Sequence, residues 1–305
     1  MSPQLPLELE RQIFETAAQK PSEIVKLFLV ARRNANRYHT LLYRVVRFGD
    51  PRKTLRIASR LNSASPAPWS AVRHLCADWM LEMPRFRDLL SRCTKITHLY
   101  LSTFNVDSSL LPILDNIRVQ SLAVNLRRLF MERSQDPDDE LDDYDEDQAS
   151  WDSTPVDLEH PLFSSVTHLH SFDYIDSENV SAKGIEWVLK LSTLPALTHL
   201  AFSNPPHPDI LETILNTCPR LRVLILSFDA GTLYMDILDI EDPRLVVIPD
   251  REDEKDWELG AYGGDDFWIK AEEFVENKKR GDADGAFLRF SPLYSTNSFP
   301  WSKAI

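Results

Sequence analysis

A short apolar phrase recurs along the chain with polar residues at fixed places inside it. It reads Val72-Arg73-His74-Leu75, Ile96-Thr97-His98-Leu99, Val119-Gln120-Ser121-Leu122, Val166-Thr167-His168-Leu169, Leu197-Thr198-His199-Leu200 and Leu221-Arg222-Val223-Leu224, with a degenerate copy at Leu245-Val246-Val247-Ile248. The spacings between first residues are 24, 23, 47, 31, 24 and 24. A period in this range is the mark of a solenoid, in which each unit stacks on its neighbour to bury a face it cannot bury alone. Such arrays hold other proteins far more often than they catalyse reactions.

The two periodicities that follow each other along the chain give the elements. Each phrase, with a further apolar residue two places after its leucine, has the alternation of a strand. Segments of helical spacing lie between the phrases: Leu110, Leu111 and Leu114; Ile185, Val188, Leu189 and Leu191; Ile210, Leu211, Ile214, Leu215 and Cys218. A helical return brings successive strands to the same edge, so the strands are expected to be parallel. With Tyr43–Phe48 as a first strand, eight strands result. Their register would gather Leu75, Leu99, Leu122, Leu169, Leu200 and Leu224 into one buried column. His74, His98, His168 and His199 would then form a ladder on the opposite face, expected to be open to a partner.

Residues 1–48 lack the phrase. Pro6 suits the first position of a helix, where its missing N–H costs nothing, and Leu9, Ile13, Phe14 and Ala17 follow at helical spacing. Pro21-Ser22-Glu23 ends that helix and starts a second, with Ile24, Leu27, Phe28 and Ala31 as its stripe. At the other end, Gly263-Gly264 marks a turn and Asp265-Asp266 a helix start. Phe267, Trp268, Ala271, Phe274 and Val275 form an apolar face, and Lys278-Lys279-Arg280-Gly281 closes the helix with favourable cations and a terminal glycine. This last helix is expected to cap the open end of the array.

Charge is placed unevenly. The net value is −13, yet residues 1–60 hold 12 Lys and Arg against 5 acids, while residues 135–159 hold 12 acids and no base. Segment 135–159 cannot bury enough apolar surface to offset its ordering entropy, and reads as a disordered insertion. It lacks the glycine and the final glutamate of a calcium-binding EF-hand loop. Overall acidity argues against nucleic-acid binding. No stretch resembles a signal peptide or spans a membrane, and the three cysteines offer neither a disulfide framework nor a metal pair. These features suit the cytoplasm or nucleus.

Catalytic signatures are absent: no GxSxG, HExxH, P-loop or GxGxxG, and only 8 glycines to build a phosphate cradle. The ladder could in principle ligate a metal, but side chains in line at strand spacing do not make the closed tetrahedron zinc requires. No enzyme, cofactor or metal site is therefore expected; a hydrolase or metalloenzyme built on the ladder is the weakest of three readings.

The segments Leu5-Pro6-x-Glu8-Leu9, Ile13-Phe14, Val30-Ala31-Arg32 and Leu41-Leu42-Tyr43-Arg44 resemble the F-box. More narrowly, they are similar to the F-box-like N-terminus of a large family of fungal proteins. Val72-Arg-His-Leu75, Leu197-Thr-His-Leu200, Asp242-Pro-Arg-Leu245 and Trp257 through Phe274 resemble the downstream region of the same family. The resemblance implies an α/β fold: a leucine-rich-repeat-like solenoid over residues 49–260, preceded by an F-box-like helical module at 1–48 and closed by a helical cap and tail at 261–305. It further implies a substrate receptor of a cullin–RING (SCF-type) ubiquitin ligase, with no catalysis of its own. Leu5, Pro6, Leu9, Ile13, Phe14, Leu27, Val30 and Leu41 would contact a Skp-type adaptor, and the repeats would hold a protein substrate. The remaining alternative is a scaffold that binds a partner without any ligase.

Overall fold

The computed structural model describes residues 43–48, 69–77, 83–102, 106–132, 154–175, 182–228, 240–249 and 253–283, with Pro6, Glu8, Leu9, Gln12, Ile13, Thr16 and Gly285 besides. Eight strands form one open sheet in chain order: β1 Val45–Phe48, β2 His74–Ala77, β3 His98–Leu101, β4 Ser121–Val124, β5 His168–Ser171, β6 His199–Phe202, β7 Val223–Phe228 and β8 Leu245–Pro249. Every neighbouring pair is parallel. The chain is thus a repeat-like α/β structure, as the recurring phrase predicts.

Strands β2–β7 begin two residues into the phrase, whereas β8 begins at Leu245, which pairs with Leu224 and so stands at the fourth position rather than the first as the degenerate copy suggests. The phrase's first residue is a buried anchor that enters the core before pairing starts: Val72, Ile96, Val119, Val166, Leu197 and Leu221 are all buried. Its second residue already joins the ladder through the backbone. Thr97 N–H donates to Arg73 O (2.8 Å), Gln120 to Thr97 (2.8 Å), Thr167 to Gln120 (2.8 Å) and Arg222 to Thr198 (2.7 Å). The third and fifth residues then share one face of the sheet and the fourth and sixth the other, since strand side chains alternate.

The face of the fourth and sixth positions carries the main core. The leucine column runs unbroken from Leu75 through Leu99, Leu122, Leu169, Leu200 and Leu224 to Leu245, and every member is buried. Among the described residues five helices return the chain over this face: α1 Met83–Arg92, α2 Leu111–Leu114, α3 Leu126–Phe130, α4 Ala182–Leu189 and α5 Pro208–Thr217. Helix α1 buries Met83, Phe86, Leu89 and Leu90, one stripe at helical spacing. In α5, Pro208 occupies the first turn and the His207 side chain accepts from Asp209 N–H, so the orphan donors of that end are partly satisfied.

The 47-residue spacing holds one crossover and no extra strand among the described residues. Its far end departs from the expected insertion over 135–159. Residues 154–159 are ordered, with Leu158 buried in the main core and Val156 packed against it. One leucine anchoring a turn outweighs the acidic composition around it; residues 135–153 lie outside the described residues. A buried carboxylate then ties this crossover together. Asp173 accepts from Leu126 N–H (2.8 Å), Arg127 N–H (3.0 Å) and Ser171 Oγ–H (2.8 Å), which caps α3 from the end of β5. Burial pushes its pKa up, against the pull of these donors.

The C-terminal segment makes two helices, α6 Asp253–Ala261 and α7 Phe267–Arg280. The start and stop signals of α7 act as the sequence predicts: Asp266 accepts from Ile269 N–H (3.1 Å), and Gly281 ends the helix at φ 78°. Their location differs from the expected end cap. Both helices lie on the sheet face opposite α1–α5. Phe267, Ala271 and Val275 of α7 pack on Ala201, Val223, Ile225, Val246 and Ile248, while Trp257 of α6 packs on the cluster of Cys76, Tyr100 and Ala123. The odd strand positions at this end are themselves apolar, so the face needs a cover and the amphipathic helices supply it. Helices thus cover both faces of the sheet.

Candidate functional site: the histidine ladder and its roof

The third phrase position forms the cross-strand row Val45, His74, His98, Ser121, His168, His199 and Val223. The four histidines do not stand as a uniform ladder. They form two stacked pairs, His74 on His98 with centroids 4.3 Å apart and His168 on His199 at 4.1 Å. The hydroxyl of the preceding threonine steadies three of the rings. Thr97, Thr167 and Thr198 place Oγ1 2.9, 2.8 and 2.8 Å from Nδ1 of His98, His168 and His199. The recurrent Thr-His-Leu triplet therefore has a division of labour: threonine fixes the ring, histidine stacks, and leucine fills the core.

The expectation of an open ladder is corrected by the roof. His74 and His199 are buried, and His98 and His168 are half-buried. Trp268 of α7 stands edge-on to His168 (5.2 Å) and His199 (5.8 Å). Glu272, one turn further along α7, accepts from Nε2–H of His199 at 3.0 Å and pairs with Arg222 at 3.1 Å. The carboxylate fixes the tautomer. With the proton on Nε2, Nδ1 is the acceptor, and the single proton of the Thr198 hydroxyl goes to it rather than to the Thr167 carbonyl at 3.2 Å.

Beside the first histidine pair, over the neighbouring row of Arg47, Cys76, Tyr100 and Ala123, α6 reaches β1. Arg47 donates Nη1–H to Glu258 at 3.1 Å and pairs through Nη2 with Glu254. Trp257 meets Tyr100 with ring centroids 6.2 Å apart. The turn between the helices is held by Asp256, which accepts from Phe267 N–H at 2.7 Å. Between α6 and α7 the fifth phrase position adds His170, whose Nε2 lies 2.8 Å from Ser203 Oγ and whose ring abuts Phe172.

Electrostatics keep the row neutral. Burial first, and then His98 and the guanidinium groups of Arg44 and Arg73, hold the His74 pKa down to about 3. His168 falls to about 3 through burial and the neighbouring His199 and His98, with Glu272 acting against them. His199 falls to about 4 through burial and Arg222, in spite of its carboxylate contact. His98 is lowered for the same reason, burial leading and Arg44 adding. Neutral, stacked imidazoles are packing elements, not acids or bases poised near neutrality. Among the described residues no group of three or more His, Cys, Asp or Glu is arranged to hold a metal ion.

Of the eight residues proposed to meet an adaptor, Pro6, Leu9 and Ile13 are described; Leu5, Phe14, Leu27, Val30 and Leu41 lie outside the described residues. Leu9 and Ile13 are helical and stand 47% and 54% exposed. No helix among the described residues is long and apolar enough to cross a membrane. The residues that sequence reasoning missed are Asp173, Glu272 and the whole of α6. Glu258 and Glu254 of α6 pair with Arg47, which is 211 and 207 residues away in sequence. No protein-family model matches the chain, and no curated protein matches it.

Proposed function

We propose that this chain is a non-enzymatic substrate receptor of a cullin–RING ubiquitin ligase of the SCF type, working in the cytoplasm or nucleus. Its F-box-like head binds a Skp-type adaptor, and its leucine-rich-repeat-like region holds a protein substrate. The observation that carries this reading is the pairing of a repeat-like sheet with a helical N-terminal stretch that leaves Leu9 and Ile13 exposed. Two large apolar side chains four residues apart share one face of a helix. Water is a poor environment for that face and a groove on another protein a good one. The repeat region supplies the second requirement, an extended surface whose two sides are stiffened by helices.

The roof narrows where substrate can bind. The leucine column is buried beneath α1–α5, and the His199 end of the histidine row is covered while α7 is docked. Contacts are left to the outer faces of the helices and to the half-buried stretch of the row at His98, Ser121 and His168. The test is co-purification with the adaptor. Leu9→Asp combined with Ile13→Asp should abolish adaptor recovery while the circular dichroism of the protein stays that of the unmodified chain. Equal recovery from the double variant and the unmodified protein would refute adaptor docking and leave a ligase-independent scaffold.

A further inference from the structure

The row of imidazoles has a missing rung. Strands in a sheet stand about 4.8 Å apart, so His98 and His168, on β3 and β5, are separated by roughly 9–10 Å across β4. Within each pair the rings are 4.3 and 4.1 Å apart. The space between the pairs therefore admits one further ring at an ordinary stacking distance from both neighbours, and not two. What occupies that rung is Ser121, paired in register with His98 on one side and His168 on the other. Its side chain reaches only as far as Oγ. Although Ser121 lies on an inner strand of the sheet, it is only half-buried, as are the two histidines that flank it, whereas Leu122 behind it is fully buried. His98 stacks on His74 through one face, and its other face looks across the gap. His168 is covered likewise by His199, with Trp268 standing edge-on beside the pair.

We propose that this gap is a recognition slot for one neutral planar ring, supplied by an aromatic side chain of a partner protein. The flanking imidazoles offer two π-faces, and the Ser121 hydroxyl at the floor can both donate and accept. The charges nearest the row decide between a ring and a cation. Arg44 and Arg73 stand near the first pair and Arg222 near the second, with Glu272 as the opposing carboxylate, already engaged by Arg222 and His199. A guanidinium or ammonium entering the slot would meet this positive surplus; a neutral ring would not. The choice of a side chain over a free small molecule follows from size. One ring between two imidazoles buries only enough area for weak binding, on the order of millimolar, by itself, but it suffices for the aromatic anchor of a larger interface.

The slot depends on the row's geometry alone, so its fate is separate from that of adaptor binding. Its test uses the full chain with histidine-labelled side chains and N-acetyl-tyrosinamide as the probe, followed by NMR. The probe at millimolar concentrations should move the Cε1–H signals of His98 and His168 upfield in a saturable way, with smaller effects on His74 and His199. Ser121→Ala, which keeps the slot open, should preserve the response. Ser121→His, which supplies the missing ring, should abolish it while leaving the melting temperature equal or higher. Titration of the unmodified chain decides the matter even if a variant fails to fold. Absence of saturable shifts at His98 and His168, an undiminished response in Ser121→His, or a lowered melting temperature in that variant would each overturn the proposal.

Discussion

Leu99→Ala and Leu200→Ala should each lower the free energy of unfolding by about 2–5 kcal/mol, the range for a leucine removed from a core that cannot collapse around the gap. Leu99 is 1% exposed and Leu200 0%. Leu99 is paired in register with Leu75 and Leu122, and Leu200 with Leu169 and Leu224, so each loss is felt on both neighbouring strands. In a stack where each unit leans on the next, a central defect cannot be confined to one repeat. The histidines behind these leucines face the roof, and their replacement is not free. His199→Gln gives up a stacked ring and reshapes the contact with Glu272, at about 1–2 kcal/mol. Denaturant unfolding of the variants checks the order. Should His199→Gln cost more than Leu200→Ala, the strands would be slipped by one residue, since such a slip exchanges the two faces.

Acid should unfold this protein well above the pH at which its carboxylates alone would. In the unfolded chain the imidazoles take up protons below about pH 6.5. In the folded chain His74 and His168 resist until about pH 3 and His199 until about 4. The folded form binds fewer protons across this window. Stability is therefore complete above pH 6.5 and is lost as pH falls towards 3–4. At pH 5 each imidazole kept neutral by the fold costs about 2 kcal/mol. Three of them together approach the whole stability of an ordinary domain, about 5–15 kcal/mol. Asp173 and Asp266, whose pKa values burial raises, work in the opposite direction and offset part of this loss. The melting temperature should fall steeply between pH 7 and pH 4.5, and His74→Phe with His168→Phe should flatten that slope. A melting temperature that is level over this range in the unmodified chain would contradict the neutral, buried row.

What could be read without coordinates was whatever the repeat itself encodes. A phrase with a buried first residue, a leucine at the fourth place and a polar residue between them dictates strand, register and the identity of both columns, and β2–β7 are where it puts them; in β8 the degenerate copy misleads, because Leu245 and not Ile248 stands beside Leu224. The ladder's pairing follows from the same logic, including the break at Ser121. The fate of that face does not. Whether α7 closes an edge or lies across a face depends on what the odd strand positions offer it, and only the assembled sheet brings Ala201, Val223, Ile225, Val246 and Ile248 together. Helix α6 has a weak apolar pattern, because its outward contacts are made by Trp257 and by glutamates whose partner lies at the far end of the sheet. Leu158 was hidden for a related reason. One apolar anchor in an acidic stretch barely changes composition, yet a buried leucine decides whether a turn is ordered.

The roof is the claim on which the site rests, and a bridge between its two ends tests it most directly. Arg47 on β1 and Glu258 on α6 meet at 3.1 Å across 211 residues of sequence, and the native Cys76, Cys93 and Cys218 are all buried. In the double variant Arg47→Cys, Glu258→Cys, a short bis-maleimide should join the two positions within one native chain, giving a linked peptide by mass spectrometry that vanishes when the protein is unfolded before labelling. If both cysteines are alkylated in the native protein and no intramolecular link forms, α6 does not lie over this face of the sheet and the roof is wrong.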